Sequence, residues 1–324
     1  MDIQYLLWLQ EIRNQADPFW EQLFGVISNI SVESAIIAIP LLFYWCIDKQ
    51  SGQRLLLSFS FASLINDVIK LTACIYRPWV RDAAVVPAQI AMDGATGYSF
   101  PSGHSVNATS LFMAAGLERR KKALWFTVLM SVFAVLVVFS RNFLGVHTPQ
   151  DAVVGAIEGL LLYALACRMV QWTYRHTDHD LTVLVLGLVL VIVMILYVAL
   201  KPYPLDYADG KLLVDPEAMQ LDFFKSAGVV SGILVAWFLE RRTLSFTVDG
   251  TRAQKILRFV IGMAVLLAVN ALIHVITGAT LSENPAGFIN RFVPMFLGIY
   301  LIPLCFTRIR QLSEKRKTTS DERG

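Results

Sequence analysis

The sequence predicts an all-α integral membrane protein of about nine transmembrane helices, and three observations carry that prediction. Of the 324 residues, 56% are hydrophobic and only 16% are charged, against about a quarter charged in an ordinary soluble domain. The apolar residues fall in blocks of roughly 17–25, each long enough to cross a hydrocarbon core of about 30 Å. The basic residues collect in alternate links between those blocks, as the positive-inside rule requires of a spanning chain.

Taken in order, residues 1–28 read as an interfacial amphipathic helix, with Tyr5, Leu6, Trp8, Leu9 and Ile12 against Asp2, Glu11 and Arg13. They lack the basic start and compact apolar core of a cleavable signal peptide. Spans are expected at 30–47, 54–75, 103–118, 123–141, 150–172, 181–200, 221–239, 256–278 and 288–307. The third is short and opens on polar residues, so its first turn faces something other than lipid. Arg119 to Lys122, the group Arg241, Arg242, Arg252, Lys255 and Arg258, and the tail from Arg308 to Lys317 all fall on one side. That side is the cytoplasmic one, which leaves the N-terminus outside. Four parts follow: an N-terminal segment 1–28, a membrane core 29–175, a four-span extension 176–310 and a basic cytoplasmic tail 311–324.

Several function classes drop out. A net charge of only +3 gives no reason to expect a nucleic-acid partner. Cys46, Cys74, Cys167 and Cys305 lie in or at the ends of apolar runs, without metal-ligand spacing. The link Arg175 to Asp180 holds His176 and His179, but three polar residues in a solvated link read as loop rather than as a metal site.

Three stretches break the apolar pattern on the outer side. In Lys70 to Pro78, Lys70 and Arg77 stand seven residues apart, two helical turns, which puts both on one face of span 2 before Pro78 stops the helix. An ionisable residue inside a membrane helix is a functional hypothesis by default, with snorkelling as the competing account. Asp67, one turn earlier, is placed to offset Lys70. In Phe100 to Ser105, Pro101, Ser102 and Gly103 open span 3 with free N–H groups at the positive end of a helix dipole, a ready anion site. His104 stands beside it, suited to proton transfer.

The third stretch runs from Ser140 to Asp151. Arg141 ends span 4, Thr148 is the expected N-cap of span 5, Pro149 its first residue and Asp151 its third. His147 falls just outside the helix, close to Asp151. A carboxylate on one imidazole nitrogen fixes the tautomer and leaves the other as a nucleophile, whereas a bare capping box would give Asp151 a purely structural role. Together the stretches offer three cations, an N–H nest, two histidines and a carboxylate, which is the equipment of phosphoryl transfer without a metal.

Lys70, Arg77 and Pro78, then Pro101 to His104, then Ser140, Arg141, His147 and Asp151 resemble, in order and spacing, the signature of the type 2 phosphatidic acid phosphatase (PAP2) superfamily. The resemblance covers roughly residues 30–172 and makes the chain similar to the integral-membrane lipid phosphatases of that superfamily, with a PAP2-like helical core followed by a C-terminal helical extension. It implies that His147 attacks phosphorus to form a phosphohistidine and that Asp151 orients it. It implies that His104 protonates the leaving group, and that Lys70, Arg77, Ser102, Gly103 and Arg141 hold the phosphoryl oxygens, with no metal and no cofactor. The expected substrate is a lipid phosphate monoester or diphosphate met in the bilayer at the outer face, and the expected setting a bacterial plasma membrane. A phosphotransferase using the same phosphohistidine, and a lipid transporter or scramblase with a head-group phosphate site, are the alternatives.

The second half leaves more open. Asp222 and Lys225 are spaced to pair near the outer end of span 7. A lipid-access groove, a homo-oligomer face or a brace for the core are the roles available to them. Glu158 is an acid within span 5 without an assigned partner, and Trp79 and Arg81 read as interfacial anchors or head-group contacts.

Overall fold

The computed structural model describes residues 2–31, 37–208, 210–244 and 246–321, with side chains described to residue 312. Two helices, α1 (Asp2–Gln15) and α2 (Pro18–Ile30), stand where one amphipathic helix was expected. The break has a local cause: the Asp17 side chain accepts from the Phe19 N–H at 2.8 Å and Pro18 takes the first helical position. The boundary drawn at 28/29 therefore falls inside α2. Helix α1 is held by the polypeptide as well as by its apolar face, because buried Arg13 donates to the carbonyls of Phe143 and Val86.

Helix α3 (Ala38–Leu42) runs into a π-helical turn, Phe43–Ile47. Tyr44 and Trp45 donate from that turn to the carbonyls of Ile299 and Gly298, so the first apolar segment is tied to the last. Helix α4 (Lys49–Ala73) starts on Asp48, whose side chain accepts from the Ser51 N–H. It ends when Cys74 adopts a left-handed conformation at φ 49°. A single turn, α5 (Pro78–Arg81), follows. Then come α6 (Gly103–Asn107), a π-helical stretch Ala108–Met113, and α7 (Ala114–Arg119). Helices α8 (Leu124–Phe143) and α9 (Pro149–Arg175) complete the core, and α10 (Asp180–Leu200) opens the extension. A two-stranded antiparallel hairpin, Tyr207–Ala208 with Lys211–Leu212, lies in the polar link after α10. The extension continues with α11 (Pro216–Thr243), α12 (Arg252–Thr280), α13 (Glu283–Phe296) and α14 (Ile302–Asp321).

Among the described residues, seven helical stretches are long and apolar enough to cross a membrane. They account for the expected spans from 54–75 onward except 103–118. Of the two left over, the segment 30–47 is represented by the short apolar helix Ala38–Ile47, with residues 32–36 outside the described part. The segment 103–118 is helical but broken by its π-helical stretch and packed inside the bundle. Its polar residues explain the break from a plain lipid-facing span. Buried Thr109 bonds back to the Ser105 carbonyl, and the Ser110 carbonyl accepts from Ser58 of α4. The tail read as a separate unit from residue 311 continues α14 to Asp321.

Candidate active site

Helix α4 stops at Ala73, one turn earlier than Pro78 would have required, so Lys70 and Arg77 do not share a helix face. The left-handed Cys74 turns the chain, and Arg77 reaches its place from extended backbone ahead of α5. Both cations nonetheless line one cavity of about 400 Å³, together with Gly103, His104 and His147. Neither meets a carboxylate. Lys70 Nζ donates to the Tyr98 carbonyl at 3.1 Å, while Arg77 donates to the carbonyls of Gly97, Thr96 and Val146 at 2.9–3.0 Å. The offset expected from Asp67 is not made as a hydrogen bond: its carboxylate accepts from Ser226 of α11 at 2.6 Å.

Residues 96–98 thus hold both cations through backbone oxygens, which no side-chain motif could announce. Gly97 is needed there twice over. It sits at φ 71°, where a side chain is disfavoured, and a Cβ would meet the Met219 sulfur of α11 at 1.9 Å. Trp79, read as an interfacial anchor, lies with its ring centroid 5.9 Å from the Arg77 guanidinium. Arg81 pairs with Asp2 of α1 at 2.9 Å.

His147 sits in the link between α8 and α9, buried, with its carbonyl held by the Asn142 amide at 2.9 Å. Its Nε2 lies 2.8 Å from Arg77 Nη1. A guanidinium has only donors, so Nε2 must be the acceptor and the ring proton resides on Nδ1. That proton faces Asp151 Oδ2 at 3.6 Å and Ser99 Oγ at 3.4 Å. Ser99 in turn donates to Asp151 Oδ2 at 2.6 Å. The two readings of Asp151 therefore hold together: the capping box with Thr148 is complete, at 2.8 and 3.3 Å, and the same carboxylate stands behind the imidazole. Burial, followed by the positive charges of Arg77, Arg141 and Lys70, pushes the His147 pKa well below the usual histidine value. The ring is neutral at physiological pH, the form a nucleophile needs.

Helix α9 presses this pair against the start of α6. A Cβ on Gly155 would stand 2.6 Å from the Ser102 carbonyl, so only glycine permits the approach. The Ser102 N–H donates to the Asp151 carbonyl at 3.0 Å and its hydroxyl caps Ser105 at 3.4 Å. Ser102 is fully buried and does not line the cavity. Gly103 and His104 do, and His104 Nε2 is a buried nitrogen without a hydrogen-bond partner among the described residues. Arg141 is likewise behind the wall. It donates to Ser28 of α2 through Nη1, while Nε and Nη2 have no partner among the described residues. Ser99 and Ser28 are the side chains that sequence reasoning missed. A serine next to a capping motif carries no distinguishing pattern, and Ser28 lies more than a hundred positions from Arg141.

Two open assignments of the extension and core resolve locally. Lys225 pairs with Asp222 at 2.8 Å, as its spacing predicts, and Glu158 accepts from Asn66 at 3.2 Å. Among the described residues, no three His, Cys, Asp or Glu side chains gather in a metal-binding group.

Fold and cavity together define an integral membrane protein with a cation-rich polar site at one end of its helical bundle. The chain belongs to the PAP2 superfamily: the superfamily's sequence model matches residues 52–175, and that of the PAP2 superfamily phosphatase transmembrane extension matches 224–316. It is 32% identical over 111 residues to an undecaprenyl-diphosphatase of Sulfolobus acidocaldarius, covering 34% of this chain and 51% of that one. It is 33% identical over 123 residues to phosphatidylglycerophosphatase B of Bacillus subtilis, covering 35% and 55%. A lipid A 4'-phosphatase of Bacteroides thetaiotaomicron is 25% identical over 190 residues, covering 56% and 79%. The chain thus spans about half the length of the first two relatives. A crystal structure of a transmembrane PAP2-type phosphatidylglycerolphosphate phosphatase from Bacillus subtilis aligns at 25% identity and a TM-score of 0.42, covering 52% of this chain and 84% of that one.

Proposed function

We propose that this protein is a metal-independent lipid phosphatase that works through a phosphohistidine on His147. The observation that carries the reading is the state of His147. It is buried, neutral, with Nε2 bearing the lone pair at the cavity wall and Nδ1–H backed by Asp151 and Ser99. The names of the relatives support the lipid-phosphatase part of it, since each is named as a phosphatase of a lipid-linked phosphate.

Binding of a phosphate head group draws the Arg77 N–H from Nε2 to a phosphoryl oxygen, which frees the lone pair. Lys70 and the Gly103 backbone hold the other oxygens, and Arg141, through its unpartnered N–H groups, strengthens the field as charge builds. Nε2 then attacks phosphorus while the P–O bond to the lipid breaks, and His104 gives its proton to the departing oxygen. Water, deprotonated by His104, attacks the phosphohistidine, and the P–N bond breaks to return His147 and release phosphate. Asp151 positions His147 and stabilises the positive charge its ring carries in the intermediate. Ser102 holds the start of α6 against α9.

We assign this chemistry to the core 29–175 and a share in substrate selection to the extension 176–310, with the site on the extracytoplasmic side of a bacterial plasma membrane. The test is phosphate release from a panel of lipid monophosphates and diphosphates by purified protein in chelator, beside His147→Ala. Release that survives the chelator and needs His147 supports the proposal, and strict dependence on a divalent ion overturns the metal-independent site. Transfer of the phosphoryl group to an added alcohol in place of water would make the enzyme a phosphotransferase.

A further inference from the structure

The cavity that holds His147 is lined on its other side by the extension. Asp222 and Lys225 of α11 and Arg291 of α13 line it. Counted over the whole lining, four cations (Lys70, Arg77, Lys225, Arg291) face two carboxylates (Asp67, Asp222), an excess of two positive charges. Asp67 already accepts the Ser226 hydroxyl and lies close enough to both Lys70 and Lys225 for its charge to act on each. The outer pair is available to a ligand. Among the described residues Lys225 hydrogen-bonds only to Asp222, in an ion pair whose side chains are 38% and 54% exposed, and such a pair is weak and easily exchanged. Arg291 makes no side-chain hydrogen bond or ion pair among the described residues.

A single transferred phosphoryl group is served by Lys70 and Arg77. Two further cations in the same cavity, contributed by a different part of the chain, call for a second anionic group. We propose that Lys225 and Arg291 form a second anion subsite that takes the further phosphoryl group of a lipid diphosphate, so that the extension sets the preference between diphosphate and monophosphate. The proposal rests on the phosphatase reading above and sharpens it. Asp222 regulates the subsite by competing for Lys225.

The test uses the full-length protein in detergent with a polyprenyl diphosphate and the monophosphate of the same tail, and reads the ratio of the two kcat/KM values. The ratio is internal to each preparation, so partial loss of folded protein cancels. Arg291→Gln and Lys225→Gln should each lower it by about tenfold or more, the scale of losing one charge-assisted contact. Lys225→Arg should restore it, and Asp222→Asn should raise it by releasing Lys225, a change opposite in sign to any loss of fold. Variants that slow both substrates equally, or leave the ratio where it was, overturn the subsite while the phosphatase reading stands. Inorganic phosphate separates the other source of the same chemistry. If the variants relieve inhibition by phosphate without moving the ratio, the pair binds released phosphate and not the substrate. A wild-type protein that releases phosphate from neither polyprenyl lipid overturns the diphosphate subsite, whereas the phosphatase reading falls only if the whole lipid panel is left intact.

Discussion

At the end of the bundle far from the cavity, Lys49 meets Glu240 at 2.6 Å, Arg54 takes Glu118 with two donors at 2.6 and 2.7 Å, and Arg241 meets Asp180 at 2.8 Å. At the cavity end, Lys70 and Arg77 are buried, more deeply than Lys49 and Arg54, and rest on neutral acceptors, mainly backbone carbonyls. Both arrangements satisfy the donors, but only the first neutralises the charge. A cation taken from water and given only carbonyls keeps its field, and that field attracts an anion and stabilises one that gains charge. The contrast separates charge that holds helices together from charge kept ready for a ligand, in one chain and with the same residue types.

The comparison breaks or stands first on paired substitutions. His147→Ala should lower kcat by about a thousandfold or more, the usual scale for removing a nucleophile, while lipid phosphate remains bound in a direct binding assay. Lys49→Ala at the other end should do the reverse. It leaves Glu240 buried without its partner, a loss of about 3–5 kcal/mol in stability, and the protein that remains folded should keep its kcat. A Lys49→Ala protein that is stable but inactive would mean the far end belongs to the catalytic machinery. The leaving-group assignment comes next in size. His104→Ala should slow an alkyl phosphate by about a hundredfold, and an aryl phosphate with a good leaving group far less. Equal losses on the two substrates would remove His104 from that role.

The charge argument also fixes a pH effect with a sign. Arg77 is the charged neighbour with the largest effect in keeping the His147 pKa low. In Arg77→Gln the imidazole pKa should rise, so the acid limb of the kcat/KM profile should move to higher pH. The wild-type limb should lie below the ordinary histidine range, because protonation of Nε2 removes the lone pair. An acid limb that stays in place in the variant would mean that a different group controls it.

Much of this was legible in the sequence, and what was not has physical causes. Hydropathy located the seven long apolar helices, yet the span 103–118 is built of short pieces: the Thr109 hydroxyl donates back to the Ser105 carbonyl, and the Ser110 carbonyl accepts from the Ser58 hydroxyl of α4. Spacing brought Lys70, Arg77, His104 and His147 to one cavity. It misjudged how Lys70 and Arg77 arrive, since a left-handed Cys74 is invisible to a periodicity argument that waits for proline. Asp67 is close enough to offset the charge of Lys70, as its spacing predicts, but its hydrogen bond goes to Ser226 of α11, far away in sequence. For the same reason the part played by the extension in the cavity could not be read. Lys225 and Asp222 showed their pairing by spacing, but Arg291 joins them only through the packing of α13 on α11.

The smallest effect tests the finest part of the comparison, the support behind His147. Ser99 donates its hydroxyl proton to Asp151, so its oxygen lone pairs point toward the Nδ1–H of His147. The hydroxyl thus bridges a carboxylate and an imidazole that are 3.6 Å apart, too far for a direct hydrogen bond. Ser99→Ala removes one neutral bond and leaves the carboxylate, capped by the Thr148 N–H, in place. A cost of about 0.5–1.5 kcal/mol is expected, which is a reduction in kcat of up to about tenfold. Asp151→Asn should cost considerably more, because it removes the charge that stabilises the imidazolium of the intermediate. If Ser99→Ala were instead as damaging as Asp151→Asn, the hydroxyl would be the group that orients His147, and the carboxylate would act through it alone.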